Sequence, residues 1–417
     1  MTISLKKRIA ITLLLLIIVR LGVFLPVPGI DHDSFYSSTK SNELIGFLNI
    51  FSGGAFSTVG IFALGIVPYI NASIIIQITS KILPSLINLQ EEEGEAGRNK
   101  VVQITRTLAL GWAVVQSLAI SFWIRPYVFD WNLSFIIETT LGLTAGAMIE
   151  MWLAEIITEI GIGNGTSILI FFNIIANIPK STIKTWILEG KLDFDFIKVG
   201  GFVAILFFFL LSIAVILQEA VKKITIISAK QLTEFGNSDT VSNYSYIPFK
   251  LYQGGIMPII FASAIIGLPT YLLQVTNNNF LQSILLSISP NGMFFLPLYY
   301  CLILLFSFIY SSLILNPEDI SKNLRKTGSS ILGVKPGIDT VEYLKTTLNR
   351  LTFLGSLLLF IIAVMPVLIS FLKIDIIKTV SPTSILILVG VAIQTTKQIQ
   401  MYILSKEFEN LTSQDKS

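Results

Sequence analysis

Long apolar runs separated by short polar stretches dominate the chain. Ten are near the length needed to cross a membrane: residues 9–28, 61–82, 106–124, 135–156, 166–186, 200–218, 252–273, 293–315, 351–371 and 381–401. A hydrocarbon core of about 30 Å takes about 20 helical residues. The runs are continuous and lack the alternation of ten-residue barrel strands, so the pattern predicts an all-α polytopic membrane protein with ten transmembrane helices. The basic start, Met1 to Arg8, leads directly into Ile9 to Leu25. This resembles a signal peptide, but Pro26-Val27-Pro28-Gly29 offers no small-residue cleavage site, and a retained first span is expected.

Lys and Arg are unevenly shared between alternate loops: twenty fall on the side of both termini and nine on the other. The positive-inside rule then places both termini on the cytoplasmic side, or the stromal side in a plastid, in agreement with an even number of spans. Two long polar stretches, 219–251 and 316–350, lie on the basic side and form the expected partner surface. The polar stretch 187–199 divides the spans into two sets of five, so that residues 1–186 form an N-terminal half, 200–405 a C-terminal half and 406–417 a polar tail. An odd number of spans per half would invert one half relative to the other.

Composition narrows the chemistry. The 417 residues are 53% apolar and 13% charged, against about 25% charged in ordinary soluble domains, and the mean hydropathy is +0.75. A net charge of +3 is far from the positive field of a nucleic-acid binder. One cysteine, Cys301, and one histidine, His32, leave no internal disulfide and no Cys/His metal cluster, and no cofactor is expected. His32 lies in a polar run after the first span and no span carries Asp, so intramembrane hydrolysis has no support. The glycine-rich stretch Gly161 to Gly165 lacks the Lys-Ser/Thr of a phosphate loop and reads as a tight turn with helix caps. Ion-coupled transport would use intramembrane charges, for which Glu150, Glu155, Glu159 and Arg20 are the candidates. Glu155 and Glu159 approach the Gly161 turn and read as interfacial, whereas Glu150 is deeper.

Asn49 to Ser57 is apolar, too short and glycine-rich to span, and precedes a full span. It reads either as a half-inserted segment, which needs a cavity to receive it, or as an interfacial helix. Here the residues resemble a known family. Phe51-Ser52-Gly53-Gly54-Ala55 and the run Ile61 to Gln77 are similar to the plug and second span of SecY, the central subunit of the Sec protein-conducting channel. Glu93-Gly94-Glu95-Ala96-Gly97-Arg98, the turn Gly161 to Gly165, Pro258 to Ser263, Asn316-Pro317 and Lys335-Pro336-Gly337 follow in the family's order along essentially the whole chain.

The resemblance implies two inverted five-helix halves around an hourglass pore, closed by a short plug helix at about 45–60. It implies a waist ring of Ile66, Ile70, Ile170, Ile260 and Ile387, and plug residues Phe51, Ser52, Gly53 and Gly54. Branched aliphatic side chains offer water and ions no hydrogen-bond partner, so such a ring closes by dewetting. A lateral gate would include Asn71, Gln116, Tyr252 and Gln253, with Tyr252 standing in span seven where the family commonly has Asn. Arg325, Lys326, Lys335 and Arg350 would meet a SecA motor or a ribosome, with Lys335 replacing the family's usual Arg. The implied function is a channel subunit, not an enzyme, that translocates unfolded preproteins and releases transmembrane segments laterally; the alternative is a secondary transporter of small solutes. Implied partners are SecE, SecG-like small subunits, preprotein signal sequences and membrane lipid. The Ile/Asn/Lys-rich composition points to a plastid thylakoid membrane, with a bacterial plasma membrane as the alternative.

Overall fold

The computed structural model describes residues 4–39, 52–83, 94–188, 194–228, 245–254, 258–259, 261–262, 265, 279–288, 292–370 and 382–414. They form two compact units, Met1–Leu192 with Lys378–Ser417, and Asp193–Ile377.

The first unit contains α1 (Leu5–Val23), α2 (His32–Thr39), α3 (Val67–Ile82), α4 (Gly94–Trp123), α5 (Leu133–Ile160), α6 (Gly165–Leu188) and a last long helix, Pro382–Gln414. Helix α4 packs between α3 and α5, α5 also meets α1 and α6, and α6 packs on the last helix. The apolar sequence is distributed as a bilayer requires, with large aliphatic groups facing out as well as in. On α1, Leu13, Leu14, Ile17 and Leu21 are exposed while Leu16 and Val19 are buried. Small polar groups join the helices inside: the Ser117 hydroxyl of α4 and the Thr144 hydroxyl of α5 share a hydrogen bond of 3.0 Å. Such contacts average about 0.6 kcal/mol in membranes, so shape and close packing set the arrangement. One end of the unit is stapled by an aromatic cluster in which Phe35 meets Trp123 and Tyr127 edge-on and Phe56 stacks on Trp123.

The Gly161–Gly165 stretch is the capped turn expected from its sequence. Asn164 Oδ1 accepts from the backbone N–H groups of Thr166 and Ser167 at 3.1 and 3.3 Å, capping α6. Gly165 N donates to Thr158 Oγ1 at 2.9 Å, and Ile162 N donates to Thr12 Oγ1 of α1 at 3.1 Å.

The second unit contains α7 (Phe194–Glu219), β1 (Val221–Ser228), β2 (Ser245–Lys250), α8 (Asn279–Ile288), α9 (Phe295–Ile314), α10 (Pro317–Lys326), β3 (Ser329–Ile331) and α11 (Ile338–Ser370). The helix Pro382–Gln414 of the first unit is α12. Helix α11 packs against α7, α9 and α10. Thr352 of α11 donates to Ser311 of α9 at 2.8 Å.

The chain is mostly helical, but all-α omits a three-stranded antiparallel sheet of order β2-β1-β3. Ile224 of β1 pairs with Ile247 of β2, and Ser228 pairs with Ser329 of β3. The two long polar stretches are therefore joined to each other. A small core of Ile224, Phe249, Ile331, Leu344, Leu348 and Leu351 lies beneath the sheet. Local periodicity missed it because β1 and β3 are about a hundred residues apart, and three-residue β3 carries almost no pattern of its own.

Candidate functional site

Span two was expected from residue 61, but α3 begins at Val67. Residues 52–66 are a run of turns, where the plug helix was expected up to about residue 60 and span two from 61; residues 45–51 of the expected plug lie outside the described residues. The physical reason is local. Gly53 has φ 65° and Gly54 φ 94°, in the left-handed region, which interrupts a right-handed helix, and Pro68 starts α3 by occupying its first turn, where a missing N–H costs nothing. Ser52 is buried, and its hydroxyl accepts from Phe56 N at 3.1 Å, closing the first turn of the segment. Ile61 N donates to Leu25 O at 2.8 Å and Val27 N donates to Val59 O at 3.0 Å, tying the later part to the chain leaving α1. Phe51 lies outside the described residues.

Four of the five expected waist residues are described, and all are buried: Ile66 at the start of α3, Ile70 one turn on, Ile170 in α6 and Ile387 in α12. All four belong to the first unit. Ile260 lies outside the described residues.

The expected gate residues divide between the units. Asn71 is half-buried on α3, and Gln116 on α4 has a buried Oε1 with no hydrogen-bond partner among the described residues. In the second unit, Tyr252 is on no described helix, although it was expected in span seven; it stands two residues after the end of β2. The β1–β2 ladder ends at the Val221–Lys250 pair, and Leu251 N then donates to Ala220 O at 2.8 Å, so the ring of Tyr252 turns inward rather than continuing the strand. Tyr252 is buried, and its hydroxyl lies 3.3 Å from Ser307 Oγ of α9. Gln253 Nε2 donates to Lys250 O at 3.4 Å.

Arg325, Lys326, Lys335 and Arg350 are all exposed on the second unit. Helix α10 presents the first two. Asn316 caps it by accepting from Glu318 N at 3.1 Å, Pro317 opens it, and Glu318 with Asp319 at its start and Arg325 with Lys326 at its end suit the helix dipole. Thr340 Oγ1 donates to the Lys335 carbonyl at 2.8 Å, fixing the loop that carries this lysine.

The ionisable groups considered for transport are partly explained. Arg106 Nε and Glu155 Oε1 form an ion pair of 2.8 Å between α4 and α5. Glu150 is buried with neither carboxyl oxygen hydrogen-bonded among the described residues. Arg20, in the last turn of α1, donates through Nη1 to the Gly53 carbonyl at 2.6 Å. That contact was not legible in the sequence, which placed a charge in a span but gave it no partner.

Four helical stretches among the described residues are long and apolar enough to cross a membrane: Gly94–Trp123, Leu133–Ile160, Phe295–Lys326 and Ile338–Val364. The chain is similar to the protein translocase subunit SecY of Porphyra purpurea, 54% identical over 98% of each chain. It is 47% identical to that of Synechococcus elongatus over 98% of this chain and 94% of the relative. Among solved structures the fold is similar to one described as "The structure of a protein conducting channel", with a TM-score of 0.67 at 15% identity over 97% of this chain and 94% of that one. It is also similar to "Sec61 in the Canine ribosome-channel complex from the endoplasmic reticulum", with a TM-score of 0.62 at 16% identity and the same coverage. The sequence model of the SecY family matches residues 60–396, and with these relatives matched along nearly their whole length, the chain belongs to the SecY family.

Proposed function

We propose that the chain forms the pore of a protein-conducting channel that passes unfolded preproteins across a membrane and releases transmembrane segments sideways into it. The observation that carries this reading is family membership along the whole chain, in a protein whose helices are apolar outside as well as inside. A SecY-family protein is a channel subunit and not an enzyme, and the small-solute transporter finds no support among the relatives. The proposed architecture is ten membrane helices in two inverted halves, residues 1–186 and 200–405, linked by 187–199 and followed by the tail 406–417.

In this reading Ile66, Ile70, Ile170, Ile260 and Ile387 close the waist by dewetting. Four of them being buried aliphatic groups of one unit supports the assignment. The segment containing Phe51, Ser52, Gly53 and Gly54 is the plug. Asn71, Gln116, Tyr252 and Gln253 are gate residues, since weak interhelical polar contacts open reversibly. Arg325, Lys326, Lys335 and Arg350 contact a ribosome or a SecA-type motor; exposure on one ordered unit supports this, as do the ribosome-bound relatives of the same fold. SecE and SecG-like subunits, signal sequences and lipid complete the partners. The compartment is a thylakoid membrane, with both termini stromal, and the relatives from Porphyra purpurea and Pyropia yezoensis support a plastid setting.

The test is deletion of residues 52–57 in the reconstituted channel complex, measuring preprotein import and resting ion conductance together. A channel keeps importing and becomes leaky, because contacts present only in the closed state have been removed. Lost import across a tight membrane, in a chain that still folds and inserts, would overturn the plug assignment and favour a carrier.

A further inference from the structure

We propose that Arg20 is a latch that holds the plug segment shut, and so sets how strong a signal must be to open the channel. The inference rests on the plug reading and goes one residue deeper. The guanidinium sits at the C-terminal turn of α1, where the helix dipole favours a cation, and lies over the Phe24 ring with 5.0 Å to its centroid. From there Nη1 donates to the Gly53 carbonyl at 2.6 Å, a short charge-assisted hydrogen bond.

The receiving turn is fitted closely to this donor. Gly53 has φ 65°, and a Cβ at this position would lie 2.6 Å from Asn173 Oδ1 of α6 and 3.2 Å from Arg20 Nη1. Only a glycine brings the carbonyl into the space between α1 and α6. Farther along, Val59 and Ile61 are held by backbone bonds to Val27 and Leu25. The segment is thus fastened at two ends by different means, with Phe56 between them stacked on Trp123. Backbone pairing at 59–61 is independent of side chains and suits a hinge, whereas the Gly53 end is held by a side chain that can release it. Swinging residues 52–58 about 59–61 requires breaking the Arg20–Gly53 bond as well as drawing Phe56 off Trp123. Loss of a charge-assisted bond made only in the closed state shifts the closed-to-open ratio by about tenfold or more.

The experiment uses the reconstituted complex carrying Arg20→Gln, Arg20→Lys, Gly53→Ala or the 52–57 deletion, alone and with Arg20→Gln added to the deletion. Resting ion conductance and import of a preprotein with a weakened signal sequence are read. Arg20→Gln is expected to raise resting conductance about tenfold and admit the weakened signal. Lys, still a cationic donor, restores part of the seal. Gly53→Ala attacks the same contact from the other partner and leaks likewise, which keeps the proposal decidable if Arg20→Gln fails to accumulate. In the deletion background Arg20→Gln adds nothing, a result that a merely structural arginine would not give. A tight Arg20→Gln or Gly53→Ala channel beside a leaky deletion would overturn the latch and leave the plug intact. A tight deletion would overturn the plug itself. Full additivity of Arg20→Gln on the deletion would show that Arg20 acts elsewhere.

Discussion

The Ser321 hydroxyl donates a hydrogen bond of 3.1 Å to the carbonyl of Gly337, tying the middle of α10 to the loop that follows Lys335. With Thr340 holding the Lys335 carbonyl from α11, two side chains fix the position of a lysine whose own head is exposed. Ser321→Ala removes one bond worth about 1 kcal/mol. It is expected to weaken binding of ribosomes or motor to reconstituted channels severalfold, without changing membrane insertion. Lys335→Glu weakens binding further and makes it less salt-sensitive, while Lys335→Arg strengthens it by restoring a planar fork of donors. Co-sedimentation across a salt series measures all three, and unchanged binding in Lys335→Glu would remove this residue from the contact.

Tyr252 and Ser307 support a second expectation. Ser307 Oγ also donates to the Ile303 carbonyl at 2.7 Å, so it keeps a partner if the tyrosine hydroxyl is removed. Tyr252→Phe is therefore expected to cost about 1 kcal/mol or less. Tyr252→Asn removes a buried ring and leaves a cavity beside Gly355, where a Cβ, if present, would lie 3.0 Å from the Tyr252 ring. A loss of about 3 kcal/mol follows. Thermal unfolding of the purified complex separates the two, and equal midpoints for Phe and Asn would mean that the ring contributes no packing.

How much of this was visible in the sequence follows from the range of each interaction. The apolar runs announced helices such as Leu133–Ile160 because a span must satisfy its backbone internally. The helix cap in the Gly161–Gly165 turn was equally local. The β1–β3 ladder was not, since Ser228 and Ser329 become neighbours only through the tertiary fold. The start of α3 was misplaced because apolar character continues through residues 61–66, while the backbone there forms turns. For the candidate site, a family pattern pointed to Ile66, Ile70, Ile170 and Ile387, which are buried. The Arg20–Gly53 bond required coordinates, because nothing in the sequence near either residue names the other.

Orientation is testable with single cysteines. The β1–β3 pairing obliges Lys222 and Thr327 to lie on the same side of any membrane, as Lys222 is in β1 and Thr327 stands two residues before β3 of the same sheet. The Lys/Arg balance predicts that this side also holds both termini. In a Cys301→Ser background, Lys222→Cys, Thr327→Cys and Ser4→Cys should react together with a membrane-impermeant thiol reagent, and Asp130→Cys should react only from the opposite face. Labelling of Ser4→Cys and Thr327→Cys from opposite faces would sink the topology.

The waist makes the strongest demand on the channel reading. A ring of isoleucines seals because water in a narrow aliphatic constriction loses hydrogen bonds that nothing on the wall replaces. Ile66, Ile70, Ile170 and Ile387 are buried, whereas Ile17 on α1 and Ile205 on α7 are exposed. Replacing the four buried residues together with Ile260 by Ser supplies hydroxyls that can hold water, and resting conductance should rise while the protein still inserts. The same change at Ile17 and Ile205 places polar groups on the outer surface, so insertion should fall and the inserted fraction should stay tight. Conductance per inserted channel separates the two outcomes. A tight, well-inserted five-serine variant would show that the seal lies elsewhere and that these isoleucines are simply packing.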